Sequence, residues 1–292
     1  EICAQLQKAK TLSEVEDIYR PYKQKRRTRA TVAKEKGLEP LAEFLFSQPA
    51  DDFDINTLTS EYINEEKGVE NVEQALAGAS DIIAEMVSDC ANIRKLLRDL
   101  IERRGYIKST AASDEDSVYR IYYDFSQPVS RMAGHQVLAI NRGEKEEFLK
   151  VSVEIEDESA LDVVFSQVVK NGSNSTELVK NAAEDAYHRL IAPSLEREIR
   201  NMLTEKASDG AIHNFALNLK PLLMQPPVKG HTTMGLDPGY RMGCKVAVVD
   251  ATGKVLDTAV VYPTHSEKHK NQAIDILKRM IEKHNVTHIA IG

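Results

Sequence analysis

Apolar residues recur at intervals of three and four over two long stretches of the chain, which is the spacing of an amphipathic helix. Over residues 69–104 this spacing predicts one helix, closed by a basic last turn and Gly105. Residues 175–224 repeat the period, and Pro193 is expected to restart or kink a long helix there because proline has no amide hydrogen. Most of the chain is therefore predicted to be helical.

Shorter helices are predicted near the start of the chain. Thr11-Leu-Ser-Glu14 has the spacing of a capping box, so a short helix should follow it and end before Pro21. Gly37 suits a left-handed helix end, and Pro40 suits a first helical turn. Residues 31–47 are thus predicted to form a helix, a turn and a second helix.

Runs of apolar residues bounded by turns predict strands in two places. Residues 145–156 alternate in part and should form a strand after a turn at Asn141-Arg-Gly143. From His231 onward, short apolar runs are separated by turn residues and one stretch of helical spacing. The predicted order there is βββαβ, with strands near 233–236, 245–249, 255–262 and 287–291 and a helix over 267–284. The fold class is therefore a mostly α part followed by an α/β part.

A domain boundary is expected between these two parts. At 292 residues the chain exceeds the usual size of a single hydrophobic core, so two domains are the first expectation and one large domain is the alternative. Pro226-Pro227-Val-Lys-Gly230 is the best candidate linker, since paired prolines cannot continue a helix. We predict a helical domain over residues 1–228 and an α/β domain over residues 229–292.

Composition narrows the class of protein. The chain is 42 % apolar and 28 % charged, as in ordinary globular proteins, and no stretch reaches the roughly 18 apolar residues of a membrane span. It starts at Glu1 without an initiator Met or a secretory signal, so we expect a piece of a longer protein. Cys3, Cys90 and Cys244 are odd in number and far apart, which argues against disulfides and a cysteine zinc site. The expected location is a reducing cytoplasm, without contact to a membrane.

The net charge of -7 opposes binding to polyanions, but the cations are unevenly distributed. The segment Tyr19-Arg-Pro-Tyr-Lys-Gln-Lys-Arg-Arg-Thr-Arg29 holds six of them. Its cations could pair with phosphates, and its tyrosines could stack on unpaired bases of RNA or single-stranded DNA. Two other interpretations stay open: a solvated loop, and an internal brace in which the arginines pair with carboxylates of residues 51–89. On the nucleic-acid interpretation the contacting residues are Tyr19, Arg20, Tyr22, Lys23, Lys25, Arg26, Arg27 and Arg29.

The pentapeptide Gly235-Leu-Asp-Pro-Gly239 places Asp237 at the end of the first C-terminal strand. A carboxylate there could hold Mg²⁺ or Mn²⁺, and phosphodiester hydrolysis in such folds uses several carboxylates around one or two metal ions. One carboxylate is not enough for that chemistry. With at least equal weight, Asp237 could merely cap the turn by accepting hydrogen bonds from backbone amides. Asp237 is the candidate catalytic and metal-binding residue, and no other cofactor is indicated.

Other polar residues of the C-terminal part have simpler explanations. Asp250 lies beside the tight turn Ala251-Thr-Gly253 and is expected to be a hairpin residue. His265 and His269 have the i, i+4 spacing of zinc ligands on a helix, but no third ligand lies in a recognisable place. The motifs GxxxxGK[ST], GxSxG and HExxH do not occur in the sequence, so P-loop, serine-hydrolase and zincin chemistry have no support.

Several long stretches, in the same order along the chain, resemble the Tex family of transcription accessory proteins, bacterial relatives of a eukaryotic elongation factor. The stretches are Asp17-Ile-Tyr-Arg-Pro-Tyr-Lys-Gln-Lys-Arg-Arg-Thr-Arg-Ala-Thr31, Glu35-Lys-Gly-Leu-Glu-Pro-Leu41, Leu138-Ala-Ile-Asn-Arg-Gly-Glu-Lys145 and Gly235-Leu-Asp-Pro-Gly-Tyr-Arg-Met-Gly-Cys-Lys-Val-Ala-Val-Val-Asp250. Because they run from the first twenty residues to the last sixty, the resemblance is more specific than any single motif.

The resemblance implies a helical region of helix-turn-helix character, a long central helix, and a YqgF-type domain of RNase H fold that begins near His231. In the complete family, helix-hairpin-helix elements and an RNA-binding oligonucleotide-binding fold follow. Asp237 matches the first catalytic aspartate of the YqgF and RuvC group. The family's further acidic positions would lie at or beyond the fourth strand, and Tex proteins are generally regarded as nucleic-acid binders without an established nuclease activity.

These observations together predict a scaffold in transcription that binds RNA or single-stranded DNA and is not an enzyme. Two rival functions are kept. One is a metal-dependent nuclease or junction resolvase built on Asp237, and the other is a helical docking platform for RNA polymerase or another protein, in which the basic segment is an internal brace.

Overall fold

The computed structural model describes residues 6–292 apart from residues 8, 10, 24, 25, 51, 114, 227 and 240. The chain divides into two compact units, Glu1–Phe215 and Ala216–Gly292. This division falls inside a long helix, before the boundary at residues 228 and 229 that the proline-rich linker suggests.

The first unit is built mainly from helices, as the apolar spacing predicted. Their order is α1 (Leu12–Tyr19), α2 (Arg29–Glu35), α3 (Glu39–Ser47), α4 (Ile55–Ser60), α5 (Val72–Ser88), α6 (Ala91–Arg104), α7 (Gly134–Lys145), α8 (Asp157–Val168), α9 (Thr176–Asp185) and α10 (Ala192–Leu223), the last of which continues into the second unit. The apolar faces of the helices after α1 share one core, centred on side chains such as Leu41, Ile82, Leu97, Val164 and Ile199.

The short N-terminal helices form where their capping residues predicted them. The Thr11 hydroxyl accepts a hydrogen bond from the Glu14 amide and so caps α1. Gly37 has a φ of 85° and ends the turn after α2, while Pro40 lies in the first turn of α3. The helix, turn and helix are therefore confirmed as local structure, and their role as a nucleic-acid-binding helix-turn-helix stays a prediction.

The single helix predicted over residues 69–104 is wrong, because the structure has two helices there. At the end of α5 the Asp89 amide donates to the Glu85 carbonyl, and Cys90 then adopts an extended backbone before α6 starts. Both helices bury their apolar faces in the same core, so the spacing of three and four continues across the break. The periodicity therefore contains no sign of the interruption.

The turn predicted at Asn141-Arg-Gly143 is also wrong, since these residues lie inside α7. Gly143 does not form a turn, and a larger residue would not fit at this position. A Cβ atom on it would lie 2.6 Å from Leu149 Cδ1 and 3.0 Å from Tyr119 Cγ. The strand that follows is present as β3 (Leu149–Glu154). The glycine thus allows α7 to pack closely on the side chains around β3.

A three-stranded antiparallel sheet lies in the first unit, and only β3 of it was predicted. β1 (Tyr106–Ala111) is central and pairs with β2 (Asp124–Pro128) on one side and with β3 on the other. Ile107 and Ser109 of β1 are buried, while Tyr106 and Lys108 are exposed, so one face of the sheet faces the core.

The long helical stretch over residues 175–224 is confirmed with a specific irregularity. One turn of π-helix, Ala186–Ile191, separates α9 from α10 and ends two residues before Pro193. Because proline cannot donate to the carbonyl four residues earlier, a wider turn at this point keeps the helix running. No helix among the described residues is long and apolar enough to cross a lipid bilayer.

The second unit has the predicted βββαβ order. Its elements are β4 (Thr233–Asp237), β5 (Cys244–Val249), β6 (Val255–Val261), α11 (Glu267–His284) and β7 (His288–Ile291). The strand order is β6-β5-β4-β7; the first three strands are antiparallel, and β7 runs parallel to β4. α11 packs Ala273 and Met280 against Met234, Val246 and Val248 of the sheet. The architectural prediction for residues 231–292 is confirmed.

Candidate nucleic-acid interface

The basic segment, residues 19–29, connects α1 to α2. It starts with a 3₁₀ turn, Arg20–Tyr22, that contains Pro21. Near its other end lies Thr28, whose hydroxyl accepts a hydrogen bond from the Thr31 amide at 3.0 Å and donates one to Glu85 Oε1 at 3.0 Å. The segment is therefore held at both ends by ordered local structure.

Most of the predicted contact residues face solvent. The side chains of Tyr19 and Tyr22 are 56 % and 60 % exposed. The exposed cations of the segment are Lys23, Arg26, Arg27 and Arg29. Lys25 lies outside the described residues. The structure thus brings two aromatic rings and several cations together on one accessible segment.

Arg20 differs from the other cations of the segment. Its Nε atom lies 3.4 Å from Asp89 Oδ1, and its side chain is two-thirds buried. Burial and the neighbouring Arg94 guanidinium lower the pKa of Arg20, although Asp89 opposes the change. Arg20 therefore fits the brace interpretation, since Asp89 is one of the carboxylates in residues 51–89.

Arg27 also has a carboxylate partner, but in a different environment. Its Nη2 atom lies 3.1 Å from Glu35 Oε2, and both side chains are more than half exposed. Exposed ion pairs contribute only about 0–1 kcal/mol, so a phosphate group could replace this partner at little cost. Arg27 thus remains available to a ligand.

A buried polar cluster lies behind the segment and was not predicted. Asp17 accepts hydrogen bonds from Arg94 Nε and Arg98 Nη2, each at 2.6 Å. Arg98 Nη2 also donates to Glu198 Oε1 at 2.8 Å, and Arg94 Nη2 donates to the Ser194 hydroxyl at 3.1 Å. We call these five residues the Asp17 network; it joins α1, α6 and α10. Its partners are too far apart in sequence for spacing to reveal them.

The second candidate site lies in the second unit. Asp237 is the last residue of β4 and is exposed, as predicted. It borders an open groove of about 860 Å³ on the sheet, in which small residues such as Gly235, Ala247 and Ala290 line the floor. The strand register places Lys245 opposite Asp237. The groove is accessible to a ligand, but its only acidic lining residue among those described is Asp237.

The described residues do not form a site that fits a catalytic Mg²⁺ or Mn²⁺ ion. Such an ion takes about six oxygen ligands and normally more than one carboxylate, whereas the groove offers one carboxylate opposite an ammonium group. Within the described part of the chain, no three His, Cys, Asp or Glu side chains are grouped to hold a metal ion. The described residues of this site therefore do not support a metal-dependent step.

The remaining polar residues of the second unit have structural partners. Asp250 accepts hydrogen bonds from the Thr252 and Lys254 amides, which confirms it as a hairpin residue. The ring of His265 contacts that of Tyr262, with 4.9 Å between centroids, and the Ser266 hydroxyl is 2.7 Å from His269 Nδ1. These contacts support a helix start rather than a zinc site.

Two parts of the chain match models of known protein families. Residues 51–215 match the Tex central region, and residues 231–292 match the YqgF-like domain of Tex proteins. The first match alone covers more than half of the chain. The chain therefore belongs to the Tex family.

Individual relatives agree with this assignment. The chain is 48 % identical over 286 residues to the protein YdcI of Bacillus subtilis, which covers 96 % of this chain and 40 % of that protein. It is 36 % identical over 299 residues to the transcriptional accessory protein Tex of Neisseria gonorrhoeae, covering 99 % of this chain and 38 % of that protein. It is 32 % identical over 301 residues to the S1 RNA-binding domain-containing protein 1 of Homo sapiens, covering 97 % of this chain and 30 % of that protein. The chain thus spans less than half the length of each of these relatives.

Proposed function

We propose that this chain is the nucleic-acid-binding part of a cytoplasmic transcription accessory factor, and that it acts as a scaffold rather than as a nuclease. Its ligand would be RNA or single-stranded DNA, bound along the basic segment. In this proposal Lys23, Arg26, Arg27 and Arg29 contact phosphates, and Tyr19 and Tyr22 stack on unpaired bases.

The observation that carries the proposal is the exposure of this segment in an otherwise acidic chain. The whole chain has a net charge of -7, so its surface as a whole repels polyanions. The connection between α1 and α2 nevertheless carries four exposed cations among its described residues. It also carries two tyrosines that are each more than half exposed. Aromatic rings beside cations are the combination that single strands use, since each unpaired base has a face on which to stack.

The names of the relatives support the functional context. One of them is a transcriptional accessory protein, and another is an S1 RNA-binding domain-containing protein. We infer a role in transcription, with RNA polymerase as a further partner. We also infer that residues 231–292 have the RNase H-like fold, since three antiparallel strands, a helix and a parallel strand follow in the expected order.

The proposal predicts a specific defect when Arg26, Arg27 and Arg29 are changed to Gln together. Affinity for a labelled single-stranded RNA or DNA should fall for every sequence. The plot of log affinity against log salt should also become flatter by about two units, roughly 0.7 for each lost phosphate contact on a single strand. Fluorescence anisotropy titrations at several salt concentrations measure both quantities.

A second triple variant separates local contacts from the change in net charge. Arg103, Arg104 and Arg120 are exposed arginines of the same unit, and their replacement by Gln removes the same total charge. This control should bind with nearly the slope of the unaltered protein. Equal slopes for the unaltered protein and the variant in the basic segment would refute the proposal. Loss of folding in that variant would favour the internal brace, and with it a docking platform.

A further inference from the structure

Helix α1, which leads into the basic segment, is attached to the first unit in an unusual way. Of its eight residues, all of them described, the only buried one is Asp17. Of its apolar residues, Leu12 and Val15 are 74 % and 36 % exposed, and Ile18 is half-buried. The 3₁₀ turn Arg20–Tyr22 that follows has no buried residue either. A buried carboxylate, and not a buried apolar face, is therefore the main attachment of α1, and Arg20 adds its ion pair with Asp89 in the turn that follows.

The partners of Asp17 lie on helices that are packed in the core of the unit. Arg94 is 2 % exposed and Arg98 9 % exposed, and both lie on α6, whose Ile93 and Leu97 are in the apolar core. Glu198 supplies the second carboxylate from α10, between the core residues Leu195 and Ile199. Two carboxylates thus balance two guanidinium groups in the interior. Glu14 of the same helix lies 3.7 Å from Lys95 Nζ, and the Lys95 side chain is more than half exposed.

Stability alone does not explain such a network. The free energy needed to remove two ion pairs from water is about as large as the free energy of attraction between their charges. A buried ion pair therefore adds little to the stability of a fold. Arg94 Nη1 and Arg98 Nε have no hydrogen-bond partner among the described residues, which adds to the cost. A directional network of this kind does fix one geometry, because the two oxygens of Asp17 each receive a separate guanidinium group.

We infer that the Asp17 network positions the basic segment for nucleic-acid binding, with Asp17 as the positioning residue. Tyr19 lies two residues after Asp17, and Tyr22 five residues after it, so the carboxylate sets where both rings are presented. An anchored segment has already lost conformational entropy before it binds. Binding therefore costs less free energy, and the affinity for nucleic acid is higher. This inference rests on the function proposed above.

The test compares the unaltered chain with Asp17→Asn and Glu198→Gln. Asparagine keeps the size of Asp17 but removes the charge that both arginines require. Backbone amides of residues 12–22 should exchange hydrogen faster in Asp17→Asn, whereas those of α5 should keep their protection. Affinity for a labelled single-stranded RNA should fall by about tenfold at every salt concentration, with an unchanged salt slope because no phosphate contact is lost. Glu198→Gln leaves the contacts of Asp17 in place. It should also speed the exchange of residues 12–22 and lower the affinity, but to a smaller extent.

Glu144→Gln is the matched control, because it breaks another partly buried ion pair, between Glu144 and Arg200 of α10. It should leave both the exchange of residues 12–22 and the affinity unchanged. Unchanged exchange in Asp17→Asn, or faster exchange throughout α5, would overturn the inference that the network holds this segment. Faster local exchange with full affinity would overturn its role in binding. Failure of the proposed function has a separate signature, namely full binding by the variant that lacks Arg26, Arg27 and Arg29.

Discussion

Asp257 on β6 ties the sheet of the second unit to its helix. Its Oδ2 atom accepts hydrogen bonds from His284 and from Lys283 at the end of α11, each at 2.9 Å. These hydrogen bonds, that of His284 first, lower the pKa of Asp257 to about 2. A carboxyl group with a lower pKa in the folded state than in the unfolded state stabilises the fold only where it is ionised.

The expected consequence is a pH-dependent effect of Asp257→Asn. In the unfolded chain this carboxyl group has a pKa of about 3.9. Its contribution is therefore complete above that pH and is lost as the pH falls towards 2. Amides of α11 should exchange faster in Asp257→Asn than in the unaltered chain at pH 6, and the difference should disappear near pH 2. Asp275→Asn makes the same change of charge at an exposed site on α11 and should show no difference at either pH. A difference that persists at the lowest pH would contradict the ion-pair explanation.

At the level of elements, close packing of helices depends on single glycines. Gly78 lies inside α5 where α2 and α3 pack on it: a Cβ atom there would collide with Leu38 Cδ1 and lie 3.3 Å from Ala33 Cβ. Leu38 is 1 % exposed, so its side chain would have to shift within the core to make room. Gly78→Ala should therefore lower the free energy of unfolding by about 1–3 kcal/mol, in spite of the better helix propensity of alanine.

Gly210 in α10 provides the matched case, since no atom lies within 4 Å of a Cβ atom built on it. Gly210→Ala should raise the free energy of unfolding by up to about 1 kcal/mol, because only helix propensity changes. Urea unfolding followed by circular dichroism measures both variants. Effects of the same sign would contradict the packing explanation.

The elements that the sequence predicted correctly are those with strong local signals. The βββαβ order was visible because turn residues such as Pro238, Gly239 and Gly253 separate the first three strands of the second unit. The break at Asp89 and Cys90 was invisible, since both flanking helices bury residues in one core. β1 and β2 were missed because neither is a clear apolar run; Tyr106, Lys108 and Thr110 face solvent in β1. Local pattern alone cannot place short strands of this kind, because strand preference depends on the packing of the sheet.

The candidate site also has features that the sequence predicted and features that it did not. Its cations and tyrosines were found because they are consecutive in sequence, and the structure leaves most of them exposed. That Arg20 pairs with Asp89 could not be read from the sequence, since only the fold brings α5 to this turn. The same holds for Asp17 and Arg94, which are 77 residues apart. The sequence therefore predicted which exposed residues this segment holds, but not the contacts that hold the segment.

For the whole molecule, the two candidate sites imply different activities and can be separated by one assay. We expect that the chain binds nucleic acid without cleaving it, because the described groove beside Asp237 contains a single carboxylate opposite Lys245. The purified chain and Asp237→Asn should each be incubated with labelled RNA, single-stranded DNA and a four-way junction in Mg²⁺ or Mn²⁺. Both proteins should leave every substrate intact and bind the single strands with equal affinity. Metal-dependent cleavage that the substitution abolishes would establish a nuclease and overturn the scaffold proposal.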